Sequence, residues 1–197
     1  MSEKKNIPLS TIALGVFSAL EEKGWHSLTL RDVAGAAAIS LEDLHGFATS
    51  KEDLVGVVIS YIEGKSLLYR EESEESYSDD HLFDLLFSYF EAAQPHKIAL
   101  THLWRNFKES PLLIRPFMPY FLKALRAVGV KGKLDFDGPF SALQLRGFGL
   151  IYLNIVRTWL EDSSPDLSKT MAETNKAVTK YIPCLFDPCK IIQAVLV

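Results

Sequence analysis

The chain has 197 residues, 48% hydrophobic and 23% charged, with a net charge of −4 and a pI of about 5.7. This length suits one domain of ordinary size or a small domain joined to a larger one, and the apolar content excludes global disorder. The negative balance excludes a protein that is basic in bulk, so any contact with nucleic acid must be local.

Apolar residues recur at helical spacing, as in Ile12, Val16, Phe17 and Leu20, and again in Leu82, Leu85, Leu86 and Phe90. No segment shows sustained alternation with turns at hairpin spacing, so the fold class is all-α. The first helix is predicted over residues 9–23. It stops at Gly24, which tolerates positive φ. Thr29 stands three residues before Asp32, the spacing of a capping box, and opens a short helix over 30–36. Ser40 caps a second short helix over 41–46. Ser50 caps a long one over 51–70, whose first turn is acidic as the helix dipole prefers. The polar run EESEESYSDD reads as a linker. Beyond it, helices are predicted over 80–93, 96–108, 111–127 and 139–161. Ser164 caps a last helix over about 166–181, with Pro165 at its first position, and Pro183 and Pro188 end regular structure. The domains expected are 1–60, 61–183 and an apolar tail over 184–197.

Cys184 and Cys189 are five residues apart with no histidine nearby, which is not a zinc spacing. A disulfide stays open, though two reduced thiols in a cytosolic protein is the stronger reading. MSEKKNIPLS lacks the apolar stretch of a signal peptide, and no run of about 18 apolar residues could span a bilayer. The expectation is a soluble, cytoplasmic chain with no transmembrane segment.

Charge is unevenly placed. Residues 71–94 hold eight acids and no lysine or arginine, whereas 95–133 hold eight bases and one acid, Glu109. Mutual compensation between solvated helices is the simpler account. A basic surface for an anionic ligand or membrane headgroups is the sharper one.

The order of signals in the first sixty residues is informative. Helix, Gly24, Trp25, SLTLRDVAGAAAIS, a short helix and then SKEDL resembles the TetR family of transcriptional regulators. That pattern has a Thr capping the second helix, an IA..AGVS turn, a third helix that reads the major groove, and SKE.L opening the fourth. The matching residues here are Gly24, Thr29, Val33, Ala34, Ala37, Ile39, Ser40, Leu44, Ser50, Lys51, Glu52 and Leu54. The resemblance covers the first quarter to third of the chain and implies a helix-turn-helix that enters DNA by the N-terminal turn of its second helix. It implies DNA contacts from Lys4, Lys5, Thr29, Arg31, Ser40, Leu41, Glu42, Asp43, His45 and Lys51. Several of these have ordinary structural readings: Thr29 as a simple cap, the lysines as solvated residues, His45 as a partly buried polar group. The chain departs from the pattern at Glu42, where a small residue is usual, at Asp43, where Thr or Ser is usual, and at His45, where a phosphate-binding Tyr is usual. Residues 1–60 hold five bases and eight acids. Phosphate neutralisation supplies most non-specific DNA affinity, and carboxylates in the groove can accept only from cytosine amino groups.

In the same resemblance the larger remainder holds a ligand cavity and a dimer interface. Most of its aromatics are expected to be plain core. Candidates for the cavity are Phe83, Phe87, His102, Trp104, Arg105, Phe121, Gln144, Phe148 and Tyr152, suited to a small apolar ligand. Candidates for a homodimer seam on the last two long helices are Gly147, Ile151, Ile155, Trp159, Met171 and Val178. The stretch WLEDSSPDLSKTMA, a long helix ending in Trp-Leu-x-Asp-x-Ser-Pro-Asp, also resembles the ubiquinone-biosynthesis accessory proteins. That resemblance implies a TetR-like fold that binds lipid or isoprenoid and does not read DNA.

No catalytic set is visible. G-x-S-x-G, H-E-x-x-H and a phosphate loop are all missing, and His26, His45, His81, His96 and His102 are dispersed. His96 and His102 lack the i,i+3 or i,i+4 spacing that a shared metal prefers. The chain reads as a non-enzyme with no cofactor and no metal. The expected function is a ligand-released, operator-binding dimeric regulator, with a lipid-binding protein of the same fold as the alternative.

Overall fold

A computed structural model describes residues 7–72, 81–109 and 115–186, and all regular structure among them is helical, with no strand. In chain order the elements are α1 (Leu9–Ser27), α2 (Leu30–Ala36), α3 (Leu41–His45), α4 (Asp53–Glu72) and α5 (His81–Ala93). A 3-10 turn (Gln94–His96) leads into α6 (Lys97–Glu109), followed by α7 (Met118–Lys131), α8 (Ser141–Glu161) and α9 (Ser168–Lys176). A π-helical stretch, Ala177–Tyr181, leads into α10 (Ile182–Phe186). Among the described residues, no helix is long and apolar enough to cross a membrane. Lys4, Lys5, Cys189, Pro188 and most of the polar run and of the apolar tail lie outside the described residues.

The chain divides into two compact units, Met1–Lys65 with Ala92–Tyr120, and Ser66–Glu91 with Phe121–Val197. This differs from the division expected at residue 60: the first unit is discontinuous in sequence and takes in α6. The reason lies in α1. Its residues Ile12, Ala13, Val16, Phe17, Ala19 and Leu20 are all buried, which is more of the helix surface than α2 can cover. Ala99 and Leu103 of α6 complete the cover and join the same core, with Leu44, Leu54 and Phe117. His96, half-buried, packs against that core, its ring stacked on Phe17 with centroids 3.9 Å apart and edge-on to Tyr61.

Gly24 breaks α1 where the sequence places its end. Its φ of 66° and ψ of 168° are non-helical, and the chain turns there before Trp25 is buried. Only glycine adopts this region without strain. Nothing lies within 4 Å of a Cβ built on Gly24, so the conformation is the whole cost of a side chain. Gly24→Ala is expected to lose about 2 kcal/mol of stability, read as a lowered urea midpoint with an unchanged slope.

In the second unit, Leu85, Leu86, Phe90, Leu125, Val128, Phe136, Phe148, Ile155, Trp159 and Ile182 form the buried apolar set. Phe90 sits 5.8 Å from both Tyr152 and Trp159, ring centre to ring centre. α7 begins at Met118, later than the predicted 111, and Pro116 disfavours α-helix at Arg115, the residue before it. Pro119 then falls in the first turn, where its missing N–H is not needed.

The corner between α8 and α9 is built around a buried carboxylate. Asp162 is 2% exposed. Its Oδ1 accepts from the Ser164 amide at 3.0 Å and from the Ser164 hydroxyl, and its Oδ2 accepts from the Thr170 amide at 2.9 Å and hydroxyl at 2.8 Å. Ser164 does not start a helix at Pro165 as predicted. Its Oγ accepts from the Ser168 amide at 3.0 Å, and α9 begins at Ser168 after Leu167 has turned through φ 53°. Nor does Pro183 end the helical path. A proline ring clashes with the carbonyl four residues back. The π-helical stretch re-phases those carbonyls, with the Ile182 amide donating to Ala177, and Pro183 is carried in the first turn of α10.

Candidate nucleic-acid interface

Three boxes of Ser or Thr followed three residues later by Asp shape the surface of the first unit. Thr29 and Asp32 form the first: the Asp32 amide donates to Thr29 Oγ1 at 3.3 Å, and the Thr29 amide donates back to Asp32 Oδ2 at 2.9 Å. Lys23 Nζ lies 2.6 Å from Asp32 Oδ1. The Lys23 ammonium, then the Thr29 hydroxyl and amide, hold Asp32 down to about 2. Ser40 and Asp43 form the second box, with the Asp43 amide donating to Ser40 Oγ at 3.0 Å and Ser40 Oγ donating to Asp43 Oδ2 at 2.7 Å. Ser50 and Asp53 form the third. There the Asp53 amide donates to Ser50 Oγ at 3.2 Å, and the Ser50 amide donates to Asp53 Oδ2 at 2.9 Å. Each box satisfies donors that a helix N-terminus otherwise leaves open.

The α2–α3 turn closes as a Schellman motif. The Ile39 amide donates to the Ala34 carbonyl at 3.0 Å and the Ala38 amide to Gly35 at 3.1 Å, with Ala38 left-handed at φ 52°. A left-handed alanine is strained. Ala38 is exposed, so Ala38→Gly removes the strain without opening a cavity. It is expected to stabilise the protein by about 1 kcal/mol, seen as a raised melting temperature. The close approach behind this turn is real packing: a Cβ on Gly15 of α1 would meet the Ala37 Cβ at 2.7 Å and its backbone nitrogen at 3.0 Å.

These contacts fix α3 over the fully buried Leu44. Thr29, Arg31, Ser40, Glu42, His45, Gly46 and Phe47 are exposed, while Leu41 and Asp43 are half-buried. Phe47 is 41% exposed, a large apolar ring at the end of the same face. Asp43, one of the two acids the sequence placed on this turn, is engaged by the Ser40 cap. Glu42 is the carboxylate left to face outward.

Lys51 is turned inward. Its ammonium sits 4.8 Å from the centre of the Trp25 ring and donates to the His26 carbonyl at 3.1 Å, tying the chain just before α4 to the end of α1. Burial pushes its pKa down from the usual lysine range. Asp53 was not singled out in the sequence, yet it is the most connected residue here. It accepts from the Thr49 amide and hydroxyl at 3.0 Å each, from Ser50, and at 2.7 Å from the Tyr120 hydroxyl. The Tyr120 hydroxyl, then the Ser50 and Thr49 amides, outweigh burial and hold Asp53 well below the usual carboxylate range. The S-x-x-D spacing at Ser50–Asp53 was a usable signal, since Thr29–Asp32 shares it. Tyr120 had none.

Of the cavity candidates, His102, Trp104 and Arg105 belong to the first unit, and Phe83, Phe87, Phe121, Gln144, Phe148 and Tyr152 to the second. Phe83 and Phe87 stack on each other, Phe121 packs 6.3 Å from Tyr152, and Phe148 is fully buried core beside Phe136. Burial pushes the Tyr152 hydroxyl above its ordinary range. Of the seam candidates, Ile155 and Trp159 are 1% and 2% exposed in the folded chain, so they offer no surface to a second copy. The helical phase explains this: Phe148, Ile155 and Trp159 share the inward face of α8, while Leu143, Arg146, Leu150, Asn154 and Arg157 point out. A Cβ on Gly147 would meet Leu185 of α10 at 2.7 Å, so Gly147 also serves packing within the unit. Ile151 and Val178 are half-buried, and Met171 is exposed.

No protein-family model, no curated protein and no solved structure matches the chain.

Proposed function

We propose that the protein is a TetR-like transcriptional regulator that binds operator DNA as a dimer through α3 and is released by a small apolar ligand. The observation that carries this reading is the α2–α3 pair. The Thr29–Asp32 capping box, the Ser40 cap and a Schellman turn hold α3 over Leu44, with its N-terminal turn exposed. The face offers Arg31 as a cation, the Thr29 and Ser40 hydroxyls and the His45 ring as hydrogen-bonding groups, and Phe47 as an apolar contact. With Lys51 engaged by Trp25 and His26, few phosphates can be neutralised. A shallow salt dependence is expected, with a log–log slope of about −2 per protomer. Duplex-DNA binding across a salt series tests this, and no affinity even at low salt would sink the reading.

A second reading is a lipid- or isoprenoid-binding protein of the ubiquinone-biosynthesis type that does not bind DNA. The outward carboxylate of Glu42 and the inward ammonium of Lys51 favour it. Native mass spectrometry that finds a co-purified lipid, with no DNA affinity, would select this reading.

A further inference from the structure

A cleft of about 280 Å³ opens in the second unit, lined by Lys133, Leu134, Asp135, Gly138, Gln144 and Phe186. Three features shape its wall. The first is Gln144. Its Nε2 donates to the Leu185 carbonyl at a long 3.4 Å, and this contact fixes which end of the amide carries nitrogen. Oε1 is then buried with no hydrogen-bond partner. Buried acceptors are nearly always satisfied, and an orphan one calls for an explanation. The terminal amide torsion is soft, so a donor arriving in the cleft can draw Oε1 toward it.

The second feature is Lys133, whose φ of 63° lies in the left-handed region that favours glycine. It is the left-handed residue of the Schellman turn that ends α7, with the Lys133 amide donating to the Val130 carbonyl at 3.0 Å and the Leu134 amide to the Gly129 carbonyl at 2.8 Å. The third is the charge pairing. Lys133 and Asp135 bring opposite charges to one small cleft, yet no ion pair joins them among the described residues. Asp135 is held in place because its Oδ1 accepts from the Asp137 amide at 2.8 Å. Leu134 and Phe186 supply an apolar wall.

We propose that this cleft binds a small zwitterion with an apolar side chain, the chemistry of a free aliphatic amino acid. Lys133 takes the carboxylate, Asp135 and Gln144 Oε1 take the ammonium, and the side chain lies along Leu134 and Phe186. The volume, roughly nine waters at ~30 Å³ each, has room for leucine and lies just below the usual drug-sized pocket. The inference does not rest on the chain reading DNA.

Isothermal titration of the full-length protein with L-leucine tests it, beside isovalerate, which lacks the ammonium, and isoamylamine, which lacks the carboxylate. The expected result is saturable one-to-one binding of leucine, with each single-charge analogue at least about tenfold weaker. Gln144→Met and Lys133→Gly should each weaken leucine by about tenfold, and the second also relieves the backbone strain at that position. No saturable binding at about 10 mM leucine, equal binding of the analogues, or wild-type affinity in both variants would each overturn the proposal. The analogue comparison needs no variant, so a misfolded Gln144→Met leaves the test decisive.

Discussion

Asp162→Ala is expected to destabilise the second unit by about 3 kcal/mol at neutral pH, and the loss should shrink in acid. The wild-type carboxylate accepts from two amides and two hydroxyls on Ser164 and Thr170, and Thr170 is fully buried. Truncation leaves the Thr170 amide and hydroxyl without their acceptor. Hydrogen bonds to a charged group contribute about 1.5–3 kcal/mol each, and a buried orphan donor costs about 1–3 kcal/mol, so about 3 kcal/mol after partial relaxation is a moderate figure. Burial alone would raise the pKa of Asp162. The four donations outweigh it and hold the carboxyl well below the usual range. A carboxylate whose folded value lies below its unfolded value of about 3.9 contributes stability that is fully present above the unfolded value. That contribution is lost as pH falls through the folded value. Urea denaturation of wild type and Asp162→Ala at pH 7 and again near pH 2.5, between the unfolded and folded values, should show the gap narrowing. An equal gap at both would mean the charge is not what stabilises the corner. Asp162→Asn keeps the shape and separates charge from packing.

Glu42→Arg is expected to raise the affinity for non-specific duplex DNA by about tenfold per protomer at low salt, and by about a hundredfold for a dimer that uses both heads. The substitution removes the outward carboxylate of α3 and places a cation where phosphates or guanine edges would approach. Glu42 is exposed, and the Ser40–Asp43 cap beside it does not involve its side chain, so the helix should be undisturbed. The salt slope should steepen by about one per protomer. Fluorescence anisotropy of a labelled duplex measures both quantities. If Glu42→Arg fails to bind at any salt, α3 does not face DNA, and the lipid-binding reading gains.

The two substitutions probe different depths of legibility. The first three helices were readable because their signals are local. Thr29 and Asp32, Ser40 and Asp43, and Gly24 act within one turn of themselves, and α2 runs over the predicted residues. The same local rule would have explained Asp43 as a cap partner instead of a second repelling charge. The candidate site was legible as a face and illegible as a balance of charges. Lys51 reads as a solvated base near DNA, and only its contacts with Trp25 and His26, 26 and 25 residues earlier in the chain, show it held elsewhere. The Asp53–Tyr120 bond spans 67 residues and has no sequence signature.

Sequence by itself determined the all-helical class, the caps, the break at Gly24 and an α3 whose exposed face is acidic at Glu42. Each follows from backbone preference or from hydrogen bonds that close within three or four residues, which neighbouring side chains settle alone. Tertiary structure decided which helices share a core, and so placed α6 with α1. It also decided which way α8 turns, burying Ile155 and Trp159 and leaving Leu143 and Leu150 outward. Those outcomes depend on which apolar faces meet across long stretches of chain, and hydrophobic burial is non-directional until the partner surface is present.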